Sequence, residues 1–120
     1  MVLVDTSVWV HHLREGNSDL ERLLVDGQVM CHSFIIGEIV CGNLNNRAGI
    51  LSLLRSLPAT IQAKHGEVLE FIEANRLMGR GLGYVDIHLA ASAILTGVSM
   101  WTMDKSLDEA NITLGINYEV

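Results

Sequence analysis

Short apolar runs that alternate with helix-like segments constrain this chain more than any other feature. Val2–Val4 is wholly apolar and stops at Asp5. Val29–Cys31 and Val98–Trp101 are runs of the same length class, and Ile61–Ala63 and Ile116–Tyr118 are briefer candidates. A run this short, without strict polar alternation, suits a strand covered on both faces, as in a parallel sheet. Between the runs, apolar spacing and breakers predict helices over Val8–Arg14, Ser18–Asp26, Ile35–Leu44, Arg47–Leu57, Glu67–Met78, Asp86–Leu95 and Ser106–Thr113. Thr6 and Ser7 are read as capping the first of these, and Leu69, Ile72 and Leu77 as facing inward from the fifth. The alternation predicts an α/β three-layer sandwich: a mostly parallel central sheet of four to five strands, flanked by helices.

The chain has 120 residues, one proline (Pro58) and no low-complexity run or repeat, so residues 1–120 are expected to form one domain. With 49% hydrophobic residues, it can bury a core rather than stay disordered. The longest stretch free of Asp, Glu, Lys and Arg lies between Asp86 and Asp104. His88, Ser92, Thr96, Gly97 and Ser99 interrupt it, and it reads as helix, glycine, strand rather than a membrane span. The N-terminal apolar run is too short for a secretory h-region. Cys31 and Cys41 do not make a disulfide framework and are expected to be buried, reduced thiols in a cytoplasmic protein.

The net charge is −6. A protein gripping nucleic acid only through phosphates is normally basic, so the acidity calls for another cause, such as carboxylates that hold cations. Sites in parallel α/β folds gather at the carboxyl ends of strands. Asp5 ends the first strand, Asp104 follows the Val98–Trp101 strand, Asp86 opens a helix, and Glu38 lies on the helix after the second strand. Four carboxylates from four distant segments repel one another unless something positive sits among them. Mg²⁺ and Mn²⁺ prefer oxygen ligands, and such a site can bind a phosphodiester and activate water. Singly, each acid has a plainer role. Asp86, Asp5 and Asp104 can cap or face helix amides, and Glu38 can be solvated. Glu38 resists that role most, because Phe34, Ile35, Ile36, Ile39 and Val40 suggest a largely buried helix, where an unpaired carboxylate is costly.

The residues around these acids resemble a known family. Val2-Leu3-Val4-Asp5-Thr6-Ser7-Val8-Trp9 resembles the opening of PIN-domain proteins. Ile36-Gly37-Glu38-Ile39, Gly83-Tyr84-Val85-Asp86-Ile87-His88-Leu89-Ala90-Ala91 and Trp101-Thr102-Met103-Asp104-Lys105 resemble the segments around the second, third and fourth acids. All four motifs occur in order over essentially the whole chain, and the length and the Gly79–Gly83 turn resemble VapC-type toxins. The resemblance implies a PIN-like fold and an Mg²⁺- or Mn²⁺-dependent endoribonuclease acting on RNA, often tRNA or rRNA, as the toxin of a toxin–antitoxin pair. It implies Asp5, Glu38, Asp86 and Asp104 as the acidic site. In our reading of their roles, the three aspartates bind metal directly or through water, and Glu38 helps hold the metal and orient the attacking water. The resemblance further implies a small antitoxin whose tail wraps the toxin, and a homodimer is expected.

Several neighbours are weighed for supporting roles. Thr6, Ser7 and Thr102 can hold ligands through hydroxyl hydrogen bonds. Arg76 and Arg80, around the glycine-rich turn, and Lys105 can meet RNA phosphates, with Arg14 a weaker candidate. Asp108 reads as solvated. His11 and His12 point in different directions and do not share a metal, His88 is placed near the cleft edge, and Trp9 and Trp101 are read as core. The apolar faces of the first two helices are candidates for dimer or antitoxin contact.

Three other readings compete. A receiver-like phospho-signalling domain needs an acceptor aspartate near mid-chain, but no acid occurs from Ile39 to Gly66. A phosphatase with an Asp-x-Asp nucleophile fails because Ser7 holds the second position. A non-catalytic PIN-fold binding module is opposed by the complete acid set.

Overall fold

A computed structural model describes all 120 residues. The elements run β1 (Val2–Val4), α1 (Thr6–Glu15), α2 (Ser18–Val25), β2 (Val29–Met30), α3 (Ser33–Val40), α4 (Arg47–Ser56), α5 (His65–Asn75), α6 (Tyr84–Thr96), β3 (Ser99–Trp101) and α7 (Lys105–Leu114). The strands form one parallel sheet in the order β2-β1-β3. Leu3 at its centre faces Met30 on one side and Met100 on the other.

The sheet is narrower than the four to five strands expected. Single bridges widen it: Cys31 pairs with Ala59 beyond β2, and Met100 with Asn117 beyond β3. Ile61–Ala63 forms no strand because its amides are spent on a helix. Ile61 N–H donates to Thr96 Oγ1 and Ala63 N–H to Ser92 Oγ, both on α6, each at 3.0 Å. At the other edge, Met100 N–H donates to Ile116 O and Tyr118 N–H to Met100 O, and the ladder goes no further.

Val2, Leu3 and Val4 are all buried although successive side chains leave opposite faces, so helices cover both sides of the sheet. A core of 17 buried residues surrounds it, with Trp9, Leu20, Ile35, Leu89 and Leu107 reaching in from the helices. A smaller cluster of Ala63, Val68, Leu77, Ile87 and Ala91 joins α5 to α6. Seven consecutive residues of α6, Ile87 to Ala93, are buried, which explains why this segment has no charged face. Gly97 then takes φ +77°, open to glycine at no steric cost, and turns the chain into β3. No helix is long and apolar enough to cross a membrane.

Several local expectations need correction. Asp5, not Thr6 or Ser7, holds the position before α1, and its side chain makes no capping bond. α3 stops at Val40, short of Leu44, and α5 is shorter than expected. Leu69 is exposed, and Val68 takes the inward position instead. Trp9 and Trp101 are core, as expected. Both thiols are free, with Cys31 buried, but Cys41 is exposed because it lies just past the end of α3.

Candidate active site

Asp5 is the best-fixed of the four acids. Its backbone N–H donates to Trp101 O at 2.9 Å, which continues the sheet one residue past β1. The side chain is 6% exposed. Its Oδ2 accepts from Ser7 Oγ at 2.8 Å and from Thr102 Oγ1 at 2.7 Å, while Oδ1 accepts nothing. Two neutral donors on one oxygen fix the carboxylate and leave the other oxygen available.

The same hydroxyls anchor the next segment. Met103 N–H donates to Ser7 Oγ, and Asp104 N–H to Thr102 Oγ1. Asp104 then caps α7, its Oδ1 accepting from Leu107 N–H at 2.9 Å. The capping role considered for Asp104 is therefore real, but it uses one oxygen of two. Asp86 lies in the first turn of α6, and its Oδ2 reaches back to Gly83 N–H at 3.4 Å, a long contact.

Glu38 departs from expectation. It is exposed, because α3 buries Ile35 and Ile39 but turns its 33, 37, 38 face outward. It is not an orphan, since Thr6 Oγ1 donates to its Oε1 at 2.7 Å. That bond spans from α1 to α3 and ties Glu38 to the residue that follows Asp5.

Asp86 senses the other three carboxylates. Asp86 is pushed above the usual carboxylate range, first by burial, then by the charge of Asp5, with Asp104 and Glu38 adding to the rise; the Gly83 amide works against it. Yet no group of three or more His, Cys, Asp or Glu side chains is gathered tightly enough to hold a metal ion. The acids thus share one electrostatic neighbourhood without forming the closed ligand cage of a structural metal site. Mg²⁺ seldom needs such a cage: one or two carboxylates suffice, with water completing its octahedron. Free oxygens on Asp5 and Asp104 beside a third acid of raised proton affinity fit that mode.

The three hydroxyls singled out from sequence all meet acids: Thr6 touches Glu38, and Ser7 and Thr102 touch Asp5. The basic candidates Arg14, Arg76, Arg80 and Lys105 are exposed, and none is in an ion pair. Arg47, not singled out from sequence, is committed to the carbonyls of Val40 and Gly42 at the end of α3. His11 pairs with Glu15, and His12 accepts from Asn17 N–H, so neither faces a metal. His88 does not line the cleft edge. It is 3% exposed, packed on His32 and Phe34, with both ring nitrogens unpartnered. Its position in the buried stretch of α6 was the available signal, obscured by its closeness to Asp86.

A PIN-domain profile matches residues 2–112, a span that contains all four acids. The chain belongs to the PIN-domain family. This PIN-domain chain is 42% identical over 117 residues to ribonuclease VapC32 of Mycobacterium tuberculosis, in two strains, covering 97% of this chain and 94% of the relative. Among solved structures, its fold is similar to FitAcB from Neisseria gonorrhoeae, with a TM-score of 0.65 at 18% identity, covering 93% of this chain and 94% of that one. It is also similar to PAE2754 from Pyrobaculum aerophilum, with a TM-score of 0.61 at 20% identity, covering 91% and 78%. At these identities the solved structures speak for the PIN fold alone.

Proposed function

We propose that this chain is a VapC-type endoribonuclease that uses a divalent cation, Mg²⁺ or Mn²⁺, held by Asp5, Asp86 and Asp104 with Glu38 beside them. The observation that carries this reading is the proton affinity of Asp86, raised first by its burial and then by the charges of Asp5, Asp104 and Glu38. Carboxylates that oppose one another's ionisation favour a cation among them. The 42% identity to a ribonuclease over nearly the whole chain supports RNA as the substrate.

A bound cation would lower the pKa of a coordinated water and neutralise phosphate charge. The chain's own residues prepare for it. Ser7 and Thr102 hold Asp5 by Oδ2 and leave Oδ1 without a donor from the chain. Thr6 holds Glu38 by Oε1, leaving Oε2 to accept a hydrogen bond from the attacking water. Arg76, Arg80 and Lys105, free of internal partners, position the RNA backbone around the acids.

The relation to VapC proteins supports a toxin role within residues 1–120 acting as one domain, with a small antitoxin as partner. The cleft beside Glu38 suits such a partner. Val10, Leu13, Ile39, Leu44 and Ile50 give it apolar walls, and Arg14 and Glu38 also line it. An amphipathic helix laid there would bury its apolar face and reach the acids with a basic side chain. We read this groove, on α1, α3 and α4, as a candidate contact beside the apolar faces of the first two helices.

The test is cleavage of structured RNA by the purified protein with Mg²⁺ or Mn²⁺, with chelator and Asp5→Asn as controls. Metal-dependent cleavage lost in Asp5→Asn supports the reading. Cleavage that survives both chelator and Asp5→Asn overturns it.

A further inference from the structure

The chain has six Phe, Trp and Tyr residues, and it exposes one of them. Trp9 and Trp101 are buried, while Phe34, Phe71 and Tyr118 are half-buried. Tyr84 alone is open, 40% exposed, in the first turn of the helix that carries Asp86. It is held in place: its hydroxyl pairs with His65 Nδ1 at 2.8 Å, and its ring meets the His65 and His88 rings at 5.5 and 5.9 Å. His88 also stacks on Phe34 at 4.4 Å. Phe34, Gly37, Cys41 and Val85 line an apolar recess whose rim is Glu38. Nothing lies within 4 Å of a Cβ built on Gly37, so that side of α3 is open. Tyr84 and the recess are thus joined through the buried His88 ring, and Glu38 borders the recess.

We propose that Tyr84 and the recess of Phe34, Gly37 and Val85 bind an unpaired nucleobase of the RNA next to the phosphate that is cut. This rests on the ribonuclease reading and deepens it. A chain of net charge −6 with only eight Lys and Arg has few phosphate contacts to offer, so an uncharged source of affinity adds to them. Stacking supplies it without charge, because every base has a π-face. A base within a duplex keeps its faces covered by its neighbours, so the site selects loops, bulges and single strands. His65 is a positioning residue, fixing the Tyr84 ring through its hydroxyl.

The experiment uses a single-stranded oligoribonucleotide carrying 2-aminopurine, whose fluorescence is quenched by stacking. Binding is followed with Ca²⁺ in place of Mg²⁺, and cleavage separately with Mn²⁺. Wild type quenches the probe on binding. Tyr84→Ala weakens binding roughly tenfold, the size expected for one lost base stack. It also loses most of the quench and raises KM more than it lowers kcat, and Tyr84→Phe, which keeps the ring and loses only the His65 bond, restores most but not all of the quench and affinity. Gly37→Leu, which fills the recess from its open side, gives the same pattern through an independent site. Wild-type affinity and quench in both Tyr84→Ala and Gly37→Leu, with metal-dependent cleavage intact, would overturn the base site and leave the ribonuclease reading standing. A wild-type protein that neither binds nor cuts RNA would overturn both.

Discussion

The hydroxyl of Thr102 donates to Asp5 Oδ2 at 2.7 Å, joining the end of β3 to the end of β1 across 97 positions of sequence. Thr102 Oγ1 also accepts from Asp104 N–H, so one buried hydroxyl sets the positions of two of the four acids. Thr102→Val keeps the shape and removes both bonds. Partners that orient metal ligands contribute about 10–100-fold to metal affinity or activity. The Mn²⁺ concentration for half-maximal cleavage should therefore rise by about that factor, and Thr102→Ser should restore most of the loss. A titration of cleavage rate against Mn²⁺ checks both.

Asp104 has two separable jobs. Its Oδ1 caps α7, and its charge belongs to the acid site. Asparagine caps as well as aspartate, whereas alanine does not, at a cost of about 1 kcal/mol. Asp104→Asn should melt near wild type yet cleave poorly, and Asp104→Ala should both melt lower and cleave poorly. Thermal melts beside cleavage assays separate the two roles.

Asp86 ties activity to stability with opposite signs. Its carboxyl takes up a proton more readily in the folded chain than in the unfolded one, first from burial and then from Asp5. Between the unfolded pKa and the raised folded pKa, the native state holds more protons, so this group's contribution to stability falls as pH rises. At neutral pH the ionised Asp86 therefore destabilises the fold. Asp86→Asn should raise Tm at pH 7 while abolishing cleavage, and Mn²⁺ should raise the wild-type Tm but not that of the variant.

His32 works in the other direction. It is buried, its Nδ1 accepts from Phe34 N–H at the start of α3, and its Nε2 lies 3.2 Å from Ser92 Oγ. An Nδ1 that accepts leaves the proton on Nε2. Burial, and then the nearby His88, lower its pKa to about 4. Below pH 6.5 the unfolded chain protonates first, so stability should fall as pH drops from 6.5 toward 4. His32→Asn keeps a capping acceptor for α3 and should flatten the dependence of Tm on pH over that window. The buried His88, also shifted downward, leaves a residual slope.

What could be read from sequence divides along physical lines. Asp5 and Asp104 were legible because each follows a short apolar run, and a parallel sheet delivers strand ends to one edge. The sheet's width was not, since Ile61–Ala63 has strand-like composition but gives its amides to Ser92 and Thr96 of α6. No local pattern reveals a side-chain partner three helical turns or more away. The exposure of Glu38 was misread for a related reason. Its apolar neighbours sit on two faces of α3, and only one of those faces meets the core. His88 was drawn toward the site by its spacing from Asp86, although two positions on a helix face different ways.

Direct binding of Mn²⁺, followed by electron paramagnetic resonance on wild type, Asp5→Asn and Asp86→Asn, bears most closely on the acid site. Wild type should bind Mn²⁺, and each single variant, still folded by circular dichroism, should lose most of that binding. Mn²⁺ binding by the folded Asp5→Asn and Asp86→Asn proteins equal to that of wild type would contradict a cation held among these carboxylates.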